Sequence, residues 1–130
     1  MARYIDGFVF PISRENIDEY RVVAEAVAAI YREHGALEYV EFVGDDMNRE
    51  GTQTFMDLVE ATEDEVVVFG WVVFESREAR DAVNAKVESD ARMADLIAPL
   101  LDPSNLIFDA KRMAYTGFRP LVASRCDNTV

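Results

Sequence analysis

Nine consecutive residues, VVVFGWVVF at positions 66–74, are all apolar or glycine. β-Branched and aromatic residues of this kind are typical of a β-strand, whose successive side chains point to opposite faces of a sheet. One face would carry Val66, Val68, Val72 and Phe74, and the other would carry Val67, Phe69, Trp71 and Val73. The sheet must therefore be covered on both sides at this strand.

Three further segments have strand character. Alternating, aromatic-rich residues predict a strand from Arg3 to Ile12, with Pro11 near its end or at a sheet edge. ALEYVEFVG at 36–44 predicts a second strand, and the last strand is placed from Lys111 to Phe118.

Two helices separate these strands. The first lies within 13–35, with Asn16 and Glu19 as a capping box or Ser13 as a rival cap, and Gly35 as its end. Ser76 is placed to cap the second helix, which a break near Asp90 interrupts. The segment 55–62 fits either one helical turn or an extended arm.

The order strand–helix–strand, strand–helix–strand predicts an α+β fold, a ferredoxin-like βαββαβ domain with an antiparallel sheet and both helices on one face. We assign residues 1–122 to this single domain and 123–130 to a polar C-terminal tail. Because the helices cover only one face of the strand at 66–74, we expect a second copy to cover the other. The prediction is a homodimer whose two sheets enclose a shared interior.

Charge and composition exclude several functions. The formal net charge of −12 opposes binding to nucleic acid and to anionic membranes. No apolar stretch is long enough to span a bilayer, and the N-terminal residues do not form a signal peptide, so we expect a cytoplasmic protein. Cys126 is the single cysteine, which leaves no thiol-based metal site, and it is interpreted as a spacer in the tail.

Several segments together resemble one family of small bacterial proteins. YIDGFVFP, HGALEYVE, GDD, VVFGWVVF, SREARDAVNAKV, DARM and FDAKRMAYTGF occur in this order from Tyr4 to about Phe118 and are similar to the YbaA-like family of unknown function. The resemblance implies a dimeric α/β barrel and no particular activity. Ala91 stands where the family pattern suggests proline, and the loop MNREGTQTF diverges.

Asp45 and Asp46 follow a glycine at the end of the second strand. Neighbouring side chains at a strand end point in opposite directions, so the two carboxylates are not expected to converge as an acid/base pair. A strand-end turn is the favoured interpretation, and the pair alone offers too few oxygen ligands for a metal. No metal site and no cofactor is predicted.

Two residues are candidate catalytic groups. Asp6 shares a strand face with apolar side chains, where it is either half of a structural ion pair or a base in a pocket. His34 is the only histidine; it either complements the dipole at the helix end or acts as a proton shuttle.

Four residues are candidate ligand contacts: Tyr39, Trp71, Arg112 and Tyr115. The aromatic side chains would form walls of the barrel cavity, and Arg112 would bind an anionic group. Two functions remain open. In the first, the dimer binds or acts on a small organic molecule, as a cofactor-free oxygenase or isomerase if it is an enzyme. In the second, it is a non-catalytic interaction or structural protein without a small-molecule site.

Overall fold

Four strands form one antiparallel sheet in the order β2-β3-β1-β4. The structure is a computed structural model that describes residues 3–124; Cys126 and most of the predicted tail lie outside the described residues. The strands are β1 (Tyr4–Ser13), β2 (Glu38–Val43), β3 (Glu65–Phe74) and β4 (Ala114–Phe118). This strand order confirms the ferredoxin-like prediction.

Four α-helices connect the strands: α1 (Ile17–Glu33), α2 (Phe55–Leu58), α3 (Arg77–Glu88) and α4 (Ala91–Ile97). Short 3₁₀ turns precede α1 at Arg14–Asn16, follow α4 at Ala98–Leu101 and precede β4 at Ala110–Arg112. Within residues 3–124, none of the helices has the length and apolar character needed to cross a membrane.

Local capping explains most of the helix boundaries. The Ser76 hydroxyl accepts the Ala79 N–H at 3.0 Å, as predicted. Asp90 separates α3 from α4 and caps α4 by accepting the Arg92 N–H at 2.9 Å. The predicted capping box at Asn16 is wrong, because the Asn16 side chain makes no cap hydrogen bond. Gly35 ends α1 with a φ of 120°, which favours glycine.

Side chains of β1 and β3 alternate between two faces of the sheet. We call the face covered by α1 and α3 the inner face, and the opposite one the outer face. The inner core contains Phe8, Phe10, Ile12, Ile30, Val68, Val72, Phe74, Val83 and Val87. The two-sided character of β3 is confirmed, since Val72 is buried in this core and Phe69 points to the other side.

The outer face exposes an aromatic patch: Phe42, Phe55, Phe69, Trp71 and Phe118. Phe42, Phe69 and Phe118 are 57, 40 and 52% exposed. In the segment after β2, the Phe55 ring lies 5.4 Å from the Phe69 ring, and Gly44 donates to the Val67 carbonyl of β3 at 2.8 Å. The ambiguous segment at 55–62 forms one helical turn, α2, followed by Glu60 with a φ of 55°.

The last strand is shorter than predicted. It begins at Ala114, because Asp109 accepts the Lys111 N–H at 3.0 Å and starts a 3₁₀ turn over Ala110–Arg112. Lys111 and Arg112 therefore precede the ladder with β1, in which Tyr115 pairs with Phe8.

Candidate functional site

A cavity of about 380 Å³ lies between the inner face of the sheet and the helical layer. Phe8 and Phe10 form its floor, Val23 and Val27 line it from α1, and the segment from α4 to the following turn supplies a roof. The roof residues are Met93, Ile97, Leu100 and Leu101. The walls are therefore mainly apolar, as in most small-molecule sites.

One row of residues runs across the whole sheet beneath this cavity. Glu41 pairs with Gly70, Gly70 with Phe8, and Phe8 with Tyr115. The polar residues Glu41 and Tyr115 therefore sit on the two edge strands, about 14 Å apart by three strand spacings. Gly70 has no side chain to fill the space between them, so the Phe8 ring forms a flat floor.

Glu41 is the polar group at one end of the cavity. Its carboxylate accepts hydrogen bonds from the hydroxyls of Tyr20 at 2.5 Å and Tyr39 at 2.8 Å. Burial raises the pKa of Glu41, although the two tyrosine hydrogen bonds oppose this increase. Burial and the neighbouring Glu41 charge also raise the pKa values of both tyrosines, which keeps them neutral donors.

Glu41 also borders a second, more open cavity of about 370 Å³. The two cavities share Tyr20, Ala24, Tyr39 and Glu41. Arg21 lines the second cavity, but its largely exposed guanidinium lies 3.6 Å from Asp18. Glu41 therefore lies at the boundary between the two cavities and lines both of them.

Asp6 lies at the other end of the cavity, on the same face of β1 as Phe8 and in contact with Tyr115. Its carboxylate is fully buried and accepts hydrogen bonds from Tyr115 at 2.9 Å, Arg80 at 3.1 Å and Asn84 at 3.2 Å. Arg80 also donates to the Tyr4 hydroxyl at 3.3 Å, and its guanidinium lies over the Tyr4 ring. Of the two interpretations of Asp6, the structure therefore shows the ion pair, with Arg80 of α3 as its partner.

Tyrosine side chains connect the two ends. Tyr31 and Tyr115 both line the cavity, and burial raises the pKa of each hydroxyl. The Tyr31 ring also lies 5.2 Å from the Tyr39 ring, centroid to centroid. Neutral tyrosine hydroxyls therefore lie near both ends of an otherwise apolar cavity.

Two of the four predicted ligand contacts line the cavity, and the other two lie outside it. Tyr39 and Tyr115 line the cavity. Trp71 lies on the outer face, where its indole N–H donates to Glu38 at 3.2 Å. Arg112 forms a bidentate pair with Glu65 at 2.6 and 2.9 Å, outside the cavity lining.

His34 lies away from the cavity lining, at the junction of α1 and α4. Its Nε2 is 2.7 Å from the Asp90 carboxylate, which Arg92 also contacts. Arg92 and then His34 hold the pKa of Asp90 well below its usual range. Glu33, His34 and Asp90 are spaced closely enough for a metal, but Arg92 bonds both carboxylates and takes the place of a cation.

Asp45 and Asp46 are exposed in the loop between β2 and α2. Asp45 borders a polar surface cavity together with Met47 and Asn48. This position agrees with the interpretation of the pair as loop residues beyond a strand end.

Sequence comparison gives the family. Residues 3–129 match the family described as "Protein of unknown function (DUF1428)". The chain belongs to this family. It is 38% identical over 120 residues to "Uncharacterized protein YbaA" of Escherichia coli K12 and of Shigella flexneri, covering 92% of this chain and 97% of each relative. The resemblance to YbaA-like proteins is therefore confirmed.

Comparison with solved structures supports the fold. A nipsnap family protein of unknown function from Agrobacterium tumefaciens superimposes with a TM-score of 0.56 and 15% sequence identity. The match covers 94% of this chain and 91% of that protein. It agrees with a ferredoxin-like α+β architecture for this family member.

Sequence reasoning did not identify Glu41 or Arg80 as site residues. Tyr39 and Glu41 are two residues apart on β2 and therefore point to the same face of the sheet. Tyr20 and Tyr31 lie on one face of the α1 helix. This spacing was the available signal for a shared site. The contact between the helix and the strand depends on packing that the pattern does not encode.

Glu41→Gln should alter the pH dependence of stability. Burial raises the Glu41 pKa above 4.5, so the native state retains a proton that the unfolded chain releases. Glu41 therefore makes the native state less stable as pH rises from about 4.5 to the raised pKa. The free energy of unfolding of Glu41→Gln relative to wild type should increase over this window and then level off. Urea unfolding at a series of pH values measures this.

Glu38→Gln is the matched control for that measurement. Glu38 lies on the same strand but its side chain contacts Trp71 on the outer face. The difference in free energy of unfolding between Glu38→Gln and wild type should not show the pH dependence expected for Glu41→Gln. Equal curves for the two variants would show that the effect comes from net charge and not from the cavity.

Proposed function

We propose that this protein binds a small, mainly apolar organic molecule in the cavity above Phe8. The observation that carries the proposal is the convergence of Glu41, Tyr31 and Tyr115 on an apolar space of about 380 Å³. Cavities of roughly 300–1,000 Å³ with a few placed polar groups are typical of small-molecule sites. The proposed site lies within one protomer, under the helices, and differs from a cavity between two sheets.

The polar groups also define the chemistry that the site can support. A half-buried carboxyl can accept or donate a proton, and burial raises the pKa of the Glu41 carboxyl. Tyr115, held by Asp6, is oriented and stays neutral. Proton transfer within a bound ligand, as in an isomerisation, is the reaction that these residues can supply without a cofactor.

We further propose that a second copy of the chain covers the aromatic patch of the outer face. Burying apolar surface contributes about 25 cal/mol per Å², so large exposed aromatic side chains favour association. Two such sheets can pack face to face about 10 Å apart, and a two-fold axis would present the same patch from each copy. Phe69 and Trp71 lie within this patch and support the proposal.

Ala24→Phe should abolish binding of a neutral apolar probe. Ala24 lines both cavities, so a phenyl ring at this position would occupy the space next to Tyr20 and Glu41. Wild type should increase the fluorescence of N-phenyl-1-naphthylamine in a saturable titration, because the emission of this dye increases in apolar surroundings. At probe concentrations well below the wild-type Kd, the variant should lose at least about 90% of that increase, because a site at least tenfold weaker then binds about one tenth as much probe.

Ala29→Phe provides the matched control, since Ala29 is exposed on the same helix. This variant should bind the probe as wild type does. Circular dichroism and urea unfolding show whether both variants remain folded. Absence of saturable binding to wild type, or equal binding by a folded Ala24→Phe, would contradict the proposed site.

A further inference from the structure

Glu41 differs from Asp6, Glu65 and Asp90, three other shielded carboxylates among residues 3–124, in lacking a cation. Asp6 pairs with Arg80, Glu65 with Arg112, and Asp90 with Arg92 and His34. Among residues 3–124, no Lys, Arg or His side chain lies within 4.0 Å of the Glu41 carboxylate. Its partners are two neutral tyrosine hydroxyls. Because carboxylates removed from water are normally paired with a cation, Glu41 leaves a position for a positive charge.

The surroundings of this position suit an organic cation. The rings of Tyr20 and Tyr39 carry the two hydroxyls that hold Glu41, and both rings line the cavity. Tyr31 lies 5.2 Å from Tyr39, and Phe8 lies 6.2 Å from it, between ring centroids. Aromatic rings around a site attract ammonium groups through their negative faces. An inorganic ion would instead require several oxygen ligands, which this aromatic environment does not provide.

The net charge of the protein also favours a cationic ligand. A net charge of −12 attracts cations and repels anions at long range. Arg21, which lines the second cavity, lies 3.6 Å from Asp18, and Arg80 is paired with Asp6 on the inner face of the sheet. Both are therefore already engaged, and the site favours a positive ligand over a carboxylate or phosphate.

We propose that the ligand is an organic ammonium with an apolar body, and that Glu41 is its counter-ion. This inference rests on the proposed small-molecule site. The ammonium group would lie in the cavity beside the Glu41 carboxylate and next to the rings of Tyr20 and Tyr39. The apolar body would extend over Phe8 toward Tyr115, along the row that crosses the sheet.

Three probes of the same length test the charge preference. They are 4-phenylbutylamine, 4-phenylbutan-1-ol and 4-phenylbutanoate, which present a cationic, a neutral and an anionic group on one apolar body. Isothermal titration calorimetry near neutral pH should show that wild type binds the amine about tenfold more tightly than the alcohol. The carboxylate should bind more weakly than both.

Glu41→Gln and Glu38→Gln test the role of Glu41. Each removes one carboxylate, but only Glu41 lines the cavity. Glu41→Gln should bind the amine about tenfold more weakly and retain its affinity for the alcohol, since the loss is a single charge interaction. Glu38→Gln should bind all three probes as wild type does.

The outcomes distinguish this inference from the proposed function. Equal or tighter binding of the alcohol or carboxylate overturns the ammonium proposal and leaves the cavity as a binding site. An amine affinity that Glu41→Gln leaves unchanged also overturns the ammonium proposal and leaves the cavity as a binding site. If all three probes fail while N-phenyl-1-naphthylamine binds, the ligand class is wrong. If that neutral probe also fails, the proposed function falls with it.

Discussion

Replacing Asp6 by alanine should lower the free energy of unfolding by about 3–5 kcal/mol. The change leaves the Arg80 guanidinium without its buried partner and removes the acceptor for Tyr115 and Asn84. An ion left without its partner in the interior costs more than the pair contributes, because the desolvation is no longer offset. Urea unfolding of wild type and Asp6→Ala at one protein concentration measures the loss.

Asp81→Ala is the control, because Asp81 also contacts Arg80. Its carboxylate lies 2.9 Å from Arg80 Nε but is 65% exposed, and the contact lacks hydrogen-bond geometry. Exposed ion pairs contribute about 0–1 kcal/mol, so this variant should unfold almost as wild type does. If Asp6→Ala costs no more than Asp81→Ala, the buried network does not hold β1, β4 and α3 together.

Phe69→Asp should convert the proposed dimer into a monomer at micromolar concentration. Phe69 lies within the aromatic patch, with its ring 5.4 Å from Phe55 and 5.9 Å from Trp71. A carboxylate at this position would be buried without a partner in both copies, at a cost of several kcal/mol per ion. Light scattering coupled to size-exclusion chromatography reports the mass of each form.

The single tryptophan gives an independent signal of the same event. Trp71 lies on the outer face, so dissociation should expose its indole to water and shift its emission to longer wavelength. Val22→Asp is the control, since Val22 is 68% exposed on α1. This variant should stay dimeric. A monomeric wild type, or a dimeric Phe69→Asp, would contradict the proposal that the outer face is the dimer interface.

The fold was accessible from sequence because its main signals are local. The alternation in β1, the Ser76 cap and the two-sided strand each follow from a few neighbouring residues. Two such βαβ halves have few compact arrangements, so the strand order follows from them. The start of β4 was misplaced because Asp109 begins a turn, and side-chain caps of this kind compete with strand formation.

The site was harder to predict because it depends on pairing between distant residues. Asp6 was singled out as a buried acid, but its partner Arg80 lies 74 positions away on α3. The three aromatic candidates divided between the two faces, with Tyr39 and Tyr115 inside and Trp71 outside. Glu41 has no motif around it, and its role follows from the row that crosses four strands.

The pairing of Gly70 with Phe8 also bears on how the chain avoids misfolding. A slip of β3 by one residue would exchange its two faces, and hydrophobicity alone would hardly oppose this, since both faces are apolar. The slipped strand would bring Phe69 or Trp71 against Phe8. Even a single added carbon at Gly70 would lie 2.8 Å from the Phe8 ring. Gly70, the one residue of this strand without a side chain, thus favours the native register, because in the shifted registers a side chain would clash with Phe8.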